Sequence, residues 1–412
     1  MSVPLVGWSL AQALREVADV HLVTQIRNRA AILRAGLIEG RDFTAVDSEA
    51  VARRAHRVAE TLRMGSGRGW TMVTALQSLA YPWFERLVWK QFGNAIENGE
   101  YDLVHRVTPL TPTAVSPMAR RVARAGVPFV LGPLNGGVPW PAEFRDARKR
   151  EREWLSYLRS AYRAMPGRRA MYNATAAVLA GSRHTASELP KHVSDRVIWF
   201  PENGINPERF PPPGPKGIAT GPIPTIFIGR LVPYKGPDMA IEAAAPFIRD
   251  GRITLDILGD GPMREDLQAI AEREGVGDGV RIHGMVPHEE LHRMAARARL
   301  MIFPSIREFG GGVVLEAMAM GVVPLVVDYA GPGELVDAQT GFKVPMGRRS
   351  EIVKNIRTHL SAVVADPSAL DEIARAGRAR IEERYTWPEK ARHMREVYDW
   401  VLGRRDDRPS FE

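Results

Sequence analysis

Along the second half of the chain, short apolar runs alternate with stretches whose apolar residues recur every three or four positions. The runs are TIFIGR (225–230), ITLDILGDG (253–261), VRIHG (280–284), LMIFPS (300–305) and VVPLVVD (322–328). They are rich in strand formers and mostly bounded by glycine or proline, so each predicts a strand. The composition of LMIFPS predicts burial on both faces. Between the runs, PDMAIEAAAPFIRD (237–250), MREDLQAIAEREG (263–275), HEELHRMAARA (288–298) and GVVLEAMAMG (312–321) carry helical spacing. This alternation predicts βαβ units and a parallel, doubly wound sheet.

The first half repeats the pattern less cleanly. A helix is predicted over 5–18, and strands within DVHLVTQ (19–25), YDLVHRV (101–107), VPFVLGP (127–133) and TAAVLAGS (175–182). Residues 201–224, PENGINPERFPPPGPKGIATGPIP, are dense in proline and glycine and read as a linker. The expected organisation is an N-terminal Rossmann-like domain over 1–200, the linker, a second Rossmann-like domain over 225–384 and a final helical segment over 385–412. The two domains are expected to face across a cleft, with ligands outside the carboxyl ends of their strands. A Rossmann domain normally opens on a strand and a glycine-rich turn. Here Gly7 is the only trace of that turn, so the first strand is expected to be missing and the sheet to carry a gap at its middle. The written start is therefore expected to be internal to a longer natural protein.

Composition narrows the function classes. A length of 412 residues suits two domains. With no cysteine, disulfide frameworks, cysteine–zinc sites and thiol catalysis are excluded. No window approaches the roughly 18–20 apolar residues of a membrane span, and the N-terminus lacks the features of a secretory signal. A cytoplasmic location is expected. The formal net charge of +8 suits an anionic partner, whether a nucleotide or an anionic lipid surface. Nucleic acid is not expected, because the basic residues are scattered and no zinc finger or RNP-like motif is present.

The chemistry concentrates in REFGGGVVLEAMAMG (307–321). A helix starting near Gly312 leaves the amides of Gly310 to Val313 without helical acceptors, which with the helix dipole makes an anion site. Glu308 and Glu316 would repel a phosphate and instead suit sugar hydroxyls. The plainer reading is a glycine-rich turn with Glu316 stabilising the helix start. In FIGRLVPYKGPD, Arg230 and Lys235 follow a strand end in a Gly/Pro loop. They are either a clamp for a diphosphate or a solvated basic loop.

Taken in order, NGINPERF, GRLVPYKG, LGDGP, HGMVP, FPSIREFGGGVVLEAMAMGVVPLVV and the GF at 341–342 resemble the retaining glycosyltransferases of family 4. The resemblance covers about residues 199–402. DLVHRVTP, FVLGPLNGG and AGSRHTASELP in the first half look like a bacterial polysaccharide-type subgroup. The resemblance implies the GT-B fold, two facing Rossmann-like domains. It implies that Arg230 and Lys235 bind a donor diphosphate, Glu316 the donor ribose and Glu308 a hexose hydroxyl, with a part in catalysis. The backbone of Phe309, Gly310, Gly311, Gly312 and Val313 would hold the sugar and distal phosphate. His105 would reach the transferred sugar from the N-terminal domain, and the loop containing Gly7 would meet the phosphates. The backbone of Met285 and Val286 would recognise the base. Asn135, Gly136 and Gly137, in GPLNGGVPW (132–140), would line the acceptor side.

The implied reaction moves a hexose from a nucleotide diphosphate sugar to a carbohydrate or lipid-linked acceptor, with retention. Cationic side chains would neutralise the leaving group, so no metal and no cofactor is expected. Two weaker features remain. The basic stretch 145–172, with Trp154, Tyr157, Tyr162 and Tyr172, fits either a peripheral contact with the inner face of the membrane or a solvated helix face. The aromatics Trp83, Phe84, Trp89 and Phe92, at mixed helical spacing, are expected in the core. A Rossmann oxidoreductase is disfavoured because LGDGPMRE lacks the third glycine of the dinucleotide turn. A non-catalytic nucleotide-sugar binder would keep the same phosphate clamp.

Overall fold

A computed structural model of the chain describes residues 3–49, 70–144, 165–211 and 221–411. These fall into two compact units. The first takes 3–49, 70–137, 165–202 and 390–411; the second takes 138–144, 203–211 and 221–389. The basic residues 145–164, with Trp154, Tyr157 and Tyr162, lie outside the described residues, as do 212–220 of the proline-rich segment.

The first unit holds six described strands in two parallel sheets. β1 (Leu22–Gln25) pairs with β2 (Phe43–Val46). The second sheet runs in the order β3 (Val104–Arg106), β4 (Phe129–Leu134), β5 (Ala177–Ala180) and β6 (Val197–Trp199). Among the described strands, the two sheets do not join. β4 and β5 are buried along their whole length, whereas every residue of β1 is half-exposed. The helix Trp70–Glu97 sends Phe84, Val88 and Ile96 into a core with Phe129, Leu131 and Val178, and Trp89 and Phe92 pack at its margin. Trp83 departs from the expectation: it is exposed, with Arg86 over its ring. Adjacent helical residues point about 100° apart, so Trp83 cannot share the inward face of Phe84. Tyr172 is fully buried.

Gly7 falls within the predicted helix, which spans Val3–Leu14, and is not the trace of a preceding turn. A Cβ there would lie 2.7 Å from Thr108 Cγ2, so glycine at this position lets the helix lie close to the segment after β3.

The second unit is one six-stranded parallel sheet. Its strands are β7 (Ile223–Ile228), β8 (Ile253–Leu258), β9 (Val280–Gly284), β10 (Leu300–Phe303), β11 (Val323–Asp328) and β12 (Phe342–Pro345). Their order is β12-β11-β10-β7-β8-β9. All four residues of β10 are buried. The helix Pro237–Arg249 presents Ala240, Ala243, Ala244 and Ala245 inward, and these small side chains let it sit close to the sheet. β7 begins inside the segment read as linker, and Ile205 of that segment is bonded in place. Its amide donates to Tyr385 O at 2.7 Å, and its carbonyl accepts from Trp387 N at 2.9 Å.

Among the described residues the chain passes between the units at 137/138, at 202/203 and at 389/390. In the first unit Lys390 donates to Pro201 O, lies over the Phe200 ring, and is pulled by burial down to about 7.

In LGDGP the glycines serve packing. Gly259 has φ 144°, and a Cβ on it would lie 1.9 Å from Gly229 O. Leu231 N donates to Asp260 O at 3.0 Å, so the loops after β7 and β8 are laced together with no room for a side chain. Gly259→Ala is expected to cost roughly 3 kcal/mol or more, through steric overlap with backbone added to dihedral strain. Gly275, at φ 66° with open space around it, is the control. Gly275→Ala is expected to cost about 1 kcal/mol, from the dihedral alone. Urea unfolding of the two variants measures the difference; equal losses would show that the close approach is not tight.

Candidate functional site

The strand order of the second unit reverses between β7 and β10. β7, β8 and β9 step outward to one side; β10, β11 and β12 step outward to the other. A crevice at the carboxyl ends of the strands follows at such a switch point. The two loops bordering it are those that carry the residues singled out from the sequence.

The loop after β7 holds Arg230, which is exposed, and Lys235, which ends a short turn over Pro233–Lys235. The loop after β10 holds Glu308 and the three glycines. Tyr234 O joins the two loops, accepting from Ile306 N at 2.9 Å and from Ser305 Oγ at 3.2 Å. These bonds bring Lys235 and Glu308 into a direct ion pair. Lys235 Nζ also lies 5.3 Å from the centroid of the Phe303 ring. Burial lowers the ammonium from its ordinary value to about 8. The adjacent carboxylate works in the opposite direction and favours the charged form.

The helix Gly312–Ala319 starts where the sequence placed it. Gly311 is its N-cap, in the left-handed region at φ 58° and ψ 29°. A side chain there would be strained, and its Cβ would meet Leu335 Cδ1 at 2.8 Å. Gly311 O accepts from Val314 N at 2.9 Å and from Leu315 N at 3.3 Å. The amides of Gly312 and Val313 come before that first bonded turn and point out of the helix start, as an anion site requires. Glu316 follows one turn into the helix and is half-buried. Met285 and Val286 follow β9 at the same edge of the sheet, with Met285 83% exposed.

The first unit holds the remaining predicted residues. Asn135, Gly136 and Gly137 sit just past β4. Asn135 N donates to Leu110 O at 2.6 Å, Gly136 N to Thr185 Oγ1 at 3.0 Å, and Gly137 N to Asn135 Oδ1 at 3.0 Å. Asn135 Nδ2 donates to Glu202. His105 is engaged on both sides. Its Nε2–H donates to Gly132 O at 2.7 Å, which leaves Nδ1 to accept from Tyr398 OH at 2.7 Å. Burial pulls its pKa down to about 4, so the ring is neutral. Reaching a sugar would require His105 to give up one of these bonds. Gly7, in its helix, offers no turn amide.

Several residues at the second unit's site escaped the sequence reading. Arg307 stacks between the rings of Trp140 and Phe309, at 5.1 and 5.5 Å from their centroids. Tyr329 OH donates to Pro139 O at 2.9 Å. Asn203 approaches Gly312 so closely that a Cβ on the glycine would lie 3.3 Å from its Cγ. Trp140 carried a signal, as a bulky aromatic directly after NGGVP, but sequence position assigned it with Asn135 to the other domain.

Residues 213–379 match the family described as glycosyl transferases group 1. The D-inositol 3-phosphate glycosyltransferase of Streptomyces bingchenggensis is 28% identical over 243 residues, covering 54% of this chain and 52% of that one. The alpha-D-kanosaminyltransferase of Streptomyces kanamyceticus is 34% identical over 160 residues, covering 38% and 40%. The chain thus spans about half the length of the curated relatives it matches. The crystal structure of Anabaena HepE in complex with UDP aligns with a TM-score of 0.57 at 18% identity, over 95% of each chain. The fold is accordingly GT-B, built from Rossmann-like α/β units.

A buried lysine near pKa 8 makes anion binding pH-dependent. Affinity for inorganic sulfate, an anion of constant charge over this range, followed by calorimetry between pH 6.5 and 9.5, is expected to fall above about pH 8 by up to about tenfold per unit. Lys235→Met should bind weakly throughout, without that dependence. The effect on the fold has the opposite sign. The folded-state value lies below the ordinary one, so the unfolded chain binds more protons in this window. The contribution of Lys235 to stability therefore rises as pH rises from about 8 towards 10. Sulfate affinity that stays flat across the range would remove Lys235 from the anion site.

Proposed function

We propose that this chain, whose residues 213–379 match the family described as glycosyl transferases group 1, transfers a glycosyl group from a nucleotide diphosphate sugar to an acceptor hydroxyl with retention of configuration. The observation that carries this reading is the Lys235–Glu308 ion pair set beside the glycine-capped helix start at the switch point.

The chemistry demands a stabilised diphosphate leaving group and an oxocarbenium-like sugar. A diphosphate placed at the amides of Gly312 and Val313 competes with Glu308 for the Lys235 ammonium. Arg230, exposed at the end of β7, supplies a second cation. Charge builds on the leaving oxygen as the glycosidic bond lengthens, and these donors interact most strongly there. Glu308, released from Lys235, then accepts hydrogen bonds from the sugar. Glu316 lies one helical turn further on, where a ribose hydroxyl would reach it. Among the described residues, no side chain of the second unit stands out as a nucleophile for the opposite sugar face. The favoured route is therefore a same-face substitution in which the leaving phosphate takes the acceptor's proton.

HepE was crystallised with UDP, which makes uridine diphosphate sugars the first donors to try. A lipid-linked saccharide is the acceptor class proposed, reached by peripheral contact with a membrane. Among the described residues no helix is long and apolar enough to cross one.

Glu308→Gln is the direct test. It is expected to retain nucleotide binding and to lose about 10²–10³-fold in donor turnover, measured as nucleotide released from a panel of nucleotide sugars. Unchanged turnover would remove Glu308 from catalysis. Binding without turnover of any sugar in the native protein would favour the non-catalytic nucleotide-sugar binder.

A further inference from the structure

We infer that Trp140 is a positioning residue for the Lys235–Glu308 pair, a role that rests on the transferase reading above. Residues 138–144 pack with the second unit, although the chain up to Gly137 packs with the first. Their seat is specific. Arg307 Nε donates to Val138 O at 3.2 Å, and Tyr329 OH donates to Pro139 O. The Trp140 ring meets Tyr234 edge-on, with centroids 6.0 Å apart and planes at 87°. Its face takes the Arg307 guanidinium at 5.1 Å.

Tyr234 is the residue before Lys235, and Arg307 is the residue before Glu308. One indole therefore touches the immediate neighbours of both members of the ion pair. A guanidinium is flat and weakly hydrated, so it stacks on the indole while its Nε keeps a hydrogen bond in the ring plane. Phe309 closes the other side of Arg307. Behind Phe309 the backbone is also fixed, because a Cβ on Gly331 would lie 2.1 Å from Phe309 O. The peptide on either side of Glu308 is thus held by packing, which leaves the carboxylate little choice of position. The groups facing Lys235 Nζ are the Glu308 carboxylate and the rings of Phe303 and Tyr234. Removing the indole opens this wall to water and loosens both loops together.

The test is the pH dependence of Lys235 reactivity in the full chain, read by peptide mass spectrometry after brief exposure to an amine-reactive ester. The native midpoint is expected near 8. Trp140→Ala should move it up by about one unit or more, as the ammonium regains hydration. Trp140→Phe should keep most of the native behaviour. Arg307→Lys, which keeps the charge but cannot stack, should follow Trp140→Ala. Donor turnover in Trp140→Ala should fall about 10–100-fold in kcat, with KM changed less than about threefold. An unmoved midpoint in both Trp140→Ala and Arg307→Lys overturns the inference, whatever the turnover. A moved midpoint in a protein that turns over no nucleotide sugar upholds the positioning role and sinks the transferase reading instead.

Discussion

The site depends on the parallel pairing of β7 with β10, Leu300 against Thr225 and Met301 against Ile226. Those strands are far apart in sequence, and the strands between them go elsewhere. β8 and β9 extend the sheet outward from β7, and β11 and β12 extend it outward from β10. Right-handed crossovers taken in opposite directions carry their helices to opposite faces, and the carboxyl ends of β7 and β10 are left uncovered between them. All four paired residues are buried. Thr225 is fully buried, and its hydroxyl donates to Thr254 O at 2.6 Å. A slip of one residue in this register would turn the inward side chains of β10 over and separate the two loops.

What the pairing assembles is a charged pair in a poor place for charge. An ammonium loses much of its hydration at Lys235, which is why its pKa falls to about 8. Glu308 and the aromatic faces of Phe303 and Tyr234 replace part of what water supplied. Partly buried ion pairs of this kind seldom stabilise a fold more than well-packed apolar residues would. A purely structural account of Lys235 and Glu308 therefore explains little. A ligand account explains more, since the same lack of water that makes the lysine costly strengthens its attraction for a diphosphate.

Much of this was legible in the chain. Every strand expected in the second half is present there, and the helix starts at Gly312, as the strand–loop–helix pattern of 300–321 predicts. The reason is physical: a parallel sheet covered on both faces leaves dense apolar runs separated by Gly and Pro turns, and these are strong signals. What escaped was short or contextual. β2 as FTAV, β6 as VIW and β12 as FKVP are too brief and too mixed for period-2 patterning to register. The family resemblance puts His105 at the transferred sugar, whereas a lone histidine at a strand is more often structural. Only coordinates show that Gly132 and Tyr398 hold both its nitrogens. Gly7 looked like the remnant of a turn, whereas the helix already contains it. Trp140 was grouped with Asn135 because five residues separate them, yet the chain leaves the first unit after Gly137. Sequence distance is a poor guide wherever a loop leaves the element that carries it.

The two glycine-rich loops of the second unit show why a glycine count cannot identify a phosphate site. LGDG and FGGG both follow buried strands, and on paper either could cradle an anion. In LGDG the amides already have internal acceptors: Gly259 N donates to Gly284 O at 2.9 Å and Gly261 N to Asp260 Oδ1 at 2.8 Å. The space a side chain would fill is taken by the backbone of Gly229 and Leu231. Those glycines exist so that two loops can touch. In FGGG the left-handed Gly311 caps a helix, and the amides of Gly312 and Val313 precede its first bonded turn. The difference lies in where the N–H groups point and what already accepts from them. By that criterion the loop after β10 keeps its helix-start amides available to an anion, whereas the loop after β8 is laced to Gly229 and Leu231.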